Sequence, residues 1–184
     1  MSRVFNINAS QSVLLVIDLQ SKLAPAIECF PTILSCTLQL AQTSLIHGIP
    51  VLITEQYKKG LGGTQDEIKA LLPKATYFDK THFSACAEPG FLASMKQFAR
   101  PQIIVVGTEA HVCVLQTCLD LLQSGFDVIV IADAVGSRNE KHKQIAIDQL
   151  QQAGAIISCA ETVIFQWVKN SATTTFKEVL SIIK

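Results

Sequence analysis

The stretch GTEAHVCVLQTCLDLL at residues 107–122 holds two cysteines five residues apart, just past the apolar run QIIVV at 102–106. A thiol there could act as a nucleophile if a proton acceptor and a cation stood close enough to manage its charge. Helical geometry separates the two cysteines. Leu115, Cys118, Leu119 and Leu122 fall at i, i+3, i+4 and i+7, the spacing of a buried stripe, so Cys118 reads as core. Cys113 shares a side with the polar Gln116, Thr117 and Asp120 and lies in or before the first turn. Unpaired backbone N–H groups and the helix dipole favour an anion there, which predicts a lowered thiol pKa and a partly ionised thiol near neutrality.

The partners are sought at strand ends. Apolar, largely β-branched runs lie at 13–17 (VLLVI), 50–54 (PVLIT), 102–106 (QIIVV) and 128–132 (VIVIA), with weaker ones at 75–79 (ATYFD) and 155–158 (AIIS). A parallel sheet covered on both faces requires such runs. Helical patterns with recognisable ends separate them: 32–47 stopping at Gly48, a short helix opened by a Thr64–Glu67 capping box, 91–99, the cysteine helix stopping at Gly125, one from Asn139 to Gly154, and a last helix opened by Thr175 and Glu178. Strands alternating with helices predict one domain over 1–184, a doubly wound three-layer α/β/α sandwich on a six-stranded parallel sheet of order 3-2-1-4-5-6.

Ligands of open parallel sheets sit beyond the carboxyl ends of the strands, where strand order reverses. Asp18 ends strand 1 and could accept the thiol proton; Lys80 ends strand 3 and could stabilise the thiolate. Strands 1 and 4 are neighbours in this order, which places Asp18 beside Cys113. Strand 3 lies two spacings from strand 1, about 10 Å, a gap a lysine on the following loop can cover. Asp133 at the end of strand 5 and Ser137 read as turn residues.

Composition narrows the classes. Apolar residues make up 49% of the 184 and charged ones 16%, so part of the surface is expected to lie against another subunit, in a homo-oligomer, a dimer or tetramer. Lys+Arg and Asp+Glu balance at 15 each, leaving no basic footprint for nucleic acid or anionic membrane. Apolar runs are far shorter than the ~18 residues that span a bilayer, and the N-terminus shows no secretory pattern. Six cysteines without one read as reduced thiols of a cytoplasmic protein. No CxxC pair suggests structural zinc. GLGG at 60–63 does not follow a strand as dinucleotide loops do, and GxGxxG and GxxxxGK[ST] are absent, so no nucleotide cofactor is expected.

VLLVIDLQ, DKTHFSA and GTEAHVCVLQTCLDLLQSGFDVIVIADAVGSR together resemble the isochorismatase-like cysteine hydrolases, relatives of nicotinamidase and N-carbamoylsarcosine amidohydrolase, from residue 11 to about 168. The resemblance is nearest to the isochorismatase-domain-containing branch. It implies that an Asp–Lys–Cys triad falls on Asp18, Lys80 and Cys113. It also implies a cis peptide joining Thr108 to Glu109 and an oxyanion hole from the backbone N–H groups of Glu109 and Cys113. Two departures carry information. Nicotinamidase-like members bind a metal through Asp-x-His after strand 2; here the segment reads TEQYKKGLGG, so no metal is expected and nicotinamide is disfavoured. Isochorismatase proper lacks the cysteine, so Cys113 points to C–N bond hydrolysis in a small amide-type substrate.

Gln20, Tyr57, Phe83 and Glu109 are candidates to line the pocket. His82 and His111 flank the site in sequence; His111 is expected to shape the turn. His47 and His142 read as helix-end and surface residues. The apolar segment ETVIFQWV at 161–168 could cover its own sheet or a subunit boundary. A catalytically idle relative serving as a binding or oligomeric assembly module is the alternative to an enzyme. A ribonuclease is disfavoured by the neutral charge.

Overall fold

The structure, a computed structural model, describes residues 5–184; residues 1–4 of the domain expected over 1–184 lie outside the described residues. The strands are β1 (Ser12–Ile17), β2 (Val51–Gln56), β3 (Thr76–Lys80), β4 (Gln102–Thr108), β5 (Asp127–Gly136) and β6 (Ile156–Ser158). They form one parallel sheet of order β3-β2-β1-β4-β5-β6, as the strand pattern predicts.

The helices are α1 (Phe30–Ile46), α2 (Lys58–Leu61), α3 (Asp66–Leu71), α4 (Phe91–Gln97), α5 (Leu115–Gln123), α6 (Glu140–Gln152), α7 (Ala160–Val168) and α8 (Thr174–Ile183). Successive strand residues face opposite ways. Leu14, Val16, Ile53, Ile104 and Ile129 pack in one core with α1, α7 and α8, while Val13, Leu15, Ile103, Val105 and Val128 pack in another with α4, α5 and α6. The segment 161–168 forms α7 and covers its own sheet: Val163, Ile164 and Trp167 are buried, and the Trp167 indole donates to Ser12 Oγ at 3.0 Å. Among the described residues no helix is long and apolar enough to cross a membrane.

Three local expectations change. Thr64 does not cap α3; its amide and hydroxyl donate to Glu55 Oε1 at 2.7 and 2.9 Å, and Gln65 precedes the helix without a side-chain cap. A buried carboxylate at the end of β2 outcompetes the helix end for the threonine. The last helix is capped by Thr173, whose Oγ1 accepts from Phe176 N, and not by Thr175. On α5 the buried residues are Thr117, Cys118 and Leu121, whereas Leu119 is 39% exposed. Thr117 can be buried because its Oγ1 accepts from the Ala85 N–H at 3.0 Å.

Candidate active site

The carboxyl ends of β1, β2, β3 and β4 meet where the strand order reverses. β1 and β4 approach closely because residue 107 is glycine: at φ +131° a Cβ there would lie 2.0 Å from the Ile17 carbonyl oxygen. Asp18 leaves β1 with φ +50°, a conformation that Asp tolerates better than most residues. Its backbone is pinned on both sides. The Asp18 N–H donates to Thr54 O at 3.2 Å, and its carbonyl accepts from Thr108 Oγ1 at 2.8 Å.

The Asp18 side chain is fully buried. Oδ1 accepts from Thr54 Oγ1 at 2.7 Å. Oδ2 stands 2.8 Å from Lys80 Nζ, its ionic partner. Lys80 reaches it from β3, across β2, with its own side chain fully buried. Its ammonium also donates to Gln56 Oε1 at 2.5 Å and Phe83 O at 3.1 Å.

Cys113 arrives from the other side. After β4 the Thr108–Glu109 peptide is cis, and residues Ala110–Val114 form a π-helical turn that leads into α5. Cys113 sits in that turn at 7% exposure, and its thiol feels both charges. The expectation of a lowered pKa is not met. Burial first, then the Asp18 carboxylate, push the thiol up to about 12, while Lys80 pulls the other way. Removal from water penalises the thiolate more than the turn geometry favours it. Cys118 is fully buried, and burial raises its thiol further.

The other expected residues divide. Gln20 is fully buried: its amide hydrogens meet Gln56 O and Gly62 O at 3.0 and 2.6 Å, and its Oε1 accepts from Gln56 N at 2.8 Å, so the whole amide clamps backbone. Tyr57, 59% exposed, borders a cavity of about 330 Å³ with Lys58, Lys59, Asp79, Thr81 and Glu88, beside Lys80. Phe83 is 55% exposed and gives Lys80 its carbonyl. The Glu109 carboxylate turns towards Arg138. His111 Nδ1 lies 3.0 Å from Ser137 Oγ, and its ring centroid 4.9 Å from that of His142. His82 pairs with Glu88. Asp133 accepts from the Ala160 N–H at the start of α7. Thr54, Gln56 and Arg138 are not singled out by the sequence reading, which names Thr108 only for the cis peptide it shares with Glu109. The first two end the strand lying between β1 and β3, a position from which they could have been found.

Comparison with known proteins gives a consistent result. The family described as Isochorismatase domain matches residues 12–162. The chain is 38% identical over 180 residues to isochorismatase domain-containing protein 1 of Danio rerio, covering 97% of this chain and 63% of that protein. It is 36% identical over 179 residues to the secreted isochorismatase effector Isc1 of Phytophthora sojae, covering 94% and 84%. The chain thus spans less than two-thirds of the length of the first of these relatives. A solved structure described as MAR1 ribonuclease from Caenorhabditis elegans superposes with a TM-score of 0.91 at 43% identity, covering 97% of this chain and 92% of that one.

Proposed function

Because the chain belongs to the isochorismatase-domain family, we propose that residues 1–184 form one hydrolase domain that cleaves a C–N bond of a small amide-type substrate through Cys113, Asp18 and Lys80. The observation carrying this reading is that a buried carboxylate and ammonium, 2.8 Å apart and brought from different strands, both act on the Cys113 thiol. With its pKa raised, the thiol is protonated at rest, so its proton leaves as attack begins. The Asp18 carboxylate, whose charge and hydrogen bond act on the thiol, takes it.

Sγ then bonds to the carbonyl carbon, and the C=O electrons move to oxygen. The backbone N–H groups of Glu109 and Cys113 hold that oxyanion; losing one such donor typically costs about 2.7–4 kcal/mol in the barrier. Asp18 returns its proton to the leaving amine, the C–N bond breaks, and a thioester remains. Water deprotonated by the same carboxylate attacks the thioester carbon, the C–S bond breaks, and Asp18 returns the proton to the departing sulfur as the acid leaves. Lys80 balances the carboxylate throughout. No metal or other cofactor enters these steps. Tyr57 and Phe83, exposed beside the site, would contact the substrate. The exposed apolar Phe83, Leu119 and Ile145 support self-association, and six free thiols suit a cytoplasmic location.

The name of the solved relative raises a ribonuclease reading for this chain. A phosphodiester would need a cation beside the thiol free to meet phosphate, but Lys80 there is held by Gln56, Phe83 and Asp18, and the net charge is zero. The test is hydrolysis of a panel of small primary amides and carbamoyl compounds by wild type and Cys113→Ala. Turnover lost in the variant supports the hydrolase. Turnover that survives it, or RNA cleavage in place of amide cleavage, overturns the reading. No turnover of any member of the panel favours the idle binding or assembly module.

A further inference from the structure

Glu109 is an unexpected residue beside a site where negative charge develops. Its backbone N–H is proposed above as an oxyanion donor, yet its side chain carries a negative charge, and that side chain is only 10% exposed. A carboxylate in such a place needs partners that hold it and balance it.

Both requirements converge on Arg138, just beyond β5. The strand ends are in register, Thr108 opposite Gly136. The Arg138 backbone N–H donates to Glu109 Oε2 at 3.0 Å, and Arg138 Nε stands 2.6 Å from Oε1. One residue therefore grips both carboxylate oxygens, one through main chain and one through side chain. The Glu109 carbonyl is fixed separately, accepting from Val112 N at 3.1 Å and Val114 N at 3.2 Å within the turn that carries Cys113. On the other side, Thr108 is tied to the Asp18 carbonyl. Glu109 is thus anchored before it, after it and through its side chain.

We propose that Arg138 is a positioning residue: by clasping the Glu109 carboxylate it aims the Glu109 N–H at the oxyanion and cancels a charge that would otherwise oppose it. The proposal rests on the reading of Cys113 as nucleophile. Arg138 touches neither the thiol's charged partners nor, in this role, the reacting atoms. Ser137 and His111 complete the surroundings, with His111 Nδ1 3.5 Å from Glu109 Oε2.

The test separates oxyanion stabilisation from thiol reactivity. Acetaldehyde adds to a thiol to give a hemithioacetal: the thiol proton passes to Asp18, a C–S bond forms and the C=O electrons move to the oxygen, which bears the negative charge until that proton is returned to it, with no redox change and no leaving group. Methyl methanethiosulfonate forms a mixed disulfide and releases methanesulfinate, with no carbonyl oxygen to stabilise. Acetaldehyde protection of Cys113 is read by mass spectrometry against labelling by the thiosulfonate. Arg138→Ala should weaken protection about tenfold or more, as loss of oxyanion geometry would, with the thiosulfonate rate within about twofold of wild type. Arg138 is exposed, so the variant should fold. Arg138→Lys, which keeps the charge, should restore part of the effect, and Glu109→Gln added to Arg138→Ala should recover part by removing the unbalanced carboxylate. Undiminished protection in Arg138→Ala, or an equal fall with both reagents, overturns the proposal. If acetaldehyde fails to protect even wild type while the thiosulfonate labels it, the hydrolase reading itself fails and this inference with it.

Discussion

Asp18 Oδ2 lies 2.8 Å from Lys80 Nζ although their strands are not neighbours: β2 runs between them. Lys80 reaches across that strand, and Gln56 from the strand in between accepts a hydrogen bond from the same ammonium. Thr54, two residues earlier on β2, holds the other carboxylate oxygen. The ion pair is thus part of the sheet's construction.

Its removal should be felt in stability. Lys80→Met leaves the Asp18 carboxylate buried without a cation, which costs about 3–5 kcal/mol. Equilibrium urea unfolding of wild type and variant measures this. A loss below about 1 kcal/mol would place the pair in contact with water.

The thiol makes a prediction opposite to intuition about a base. Iodoacetamide reacts with the thiolate. Asp18 raises the Cys113 pKa and Lys80 lowers it. Alkylation of wild type should therefore keep rising with pH between about 8 and 10, with no plateau near neutrality, since each pH unit below the pKa multiplies the thiolate about tenfold. Asp18→Asn should react faster at pH 9 although it lacks the base, and Lys80→Met more slowly. Slower alkylation of Asp18→Asn would contradict this ordering.

Much of this arrangement was legible in sequence. All the expected strands appear in the expected order, because β-branched apolar runs suit a sheet covered on both sides. For Asp18 and Lys80 the strand order left a gap of about 10 Å that a lysine can cover, and the family resemblance implied the same pair. The thiol's ionisation was not legible, since it depends on burial by side chains distant in sequence. The same holds for Thr64, whose local pattern suggests a cap but whose hydrogen bonds go to Glu55. Gln20 reads as a polar residue near a strand end, and only the fold shows its amide meeting main-chain groups of Gln56 and Gly62.

Gly107 gives a third prediction. Gly107→Ala would place a methyl 2.0 Å from the Ile17 carbonyl oxygen at a φ that L residues rarely adopt. The backbone cannot give way without separating β1 from β4. A loss of about 3 kcal/mol or more is expected, read by thermal unfolding, with loss of Cys113 function in any protein that folds.

A fourth concerns acid. Glu88 ties the loop after β3 by accepting from the backbone N–H groups of His82 and Thr81, and these bonds with the His82 ring hold its carboxyl down at about 2. A depressed folded pKa means stability that is fully present above the ordinary value near 4.5 and is lost as pH falls towards 2. Glu88→Gln should flatten the stability curve between about pH 4.5 and 2. An acid limb unchanged by the substitution would remove Glu88 as its source.

The most direct measurement uses p-nitrophenyl acetate as an acyl donor. Rapid quenching followed by peptide mass spectrometry should locate one acetyl group on Cys113, with a matching burst of nitrophenol and then slower turnover, and Cys113→Ala should show neither. Acetylation of another residue, or a burst that persists in Cys113→Ala, would contradict nucleophilic attack by this sulfur.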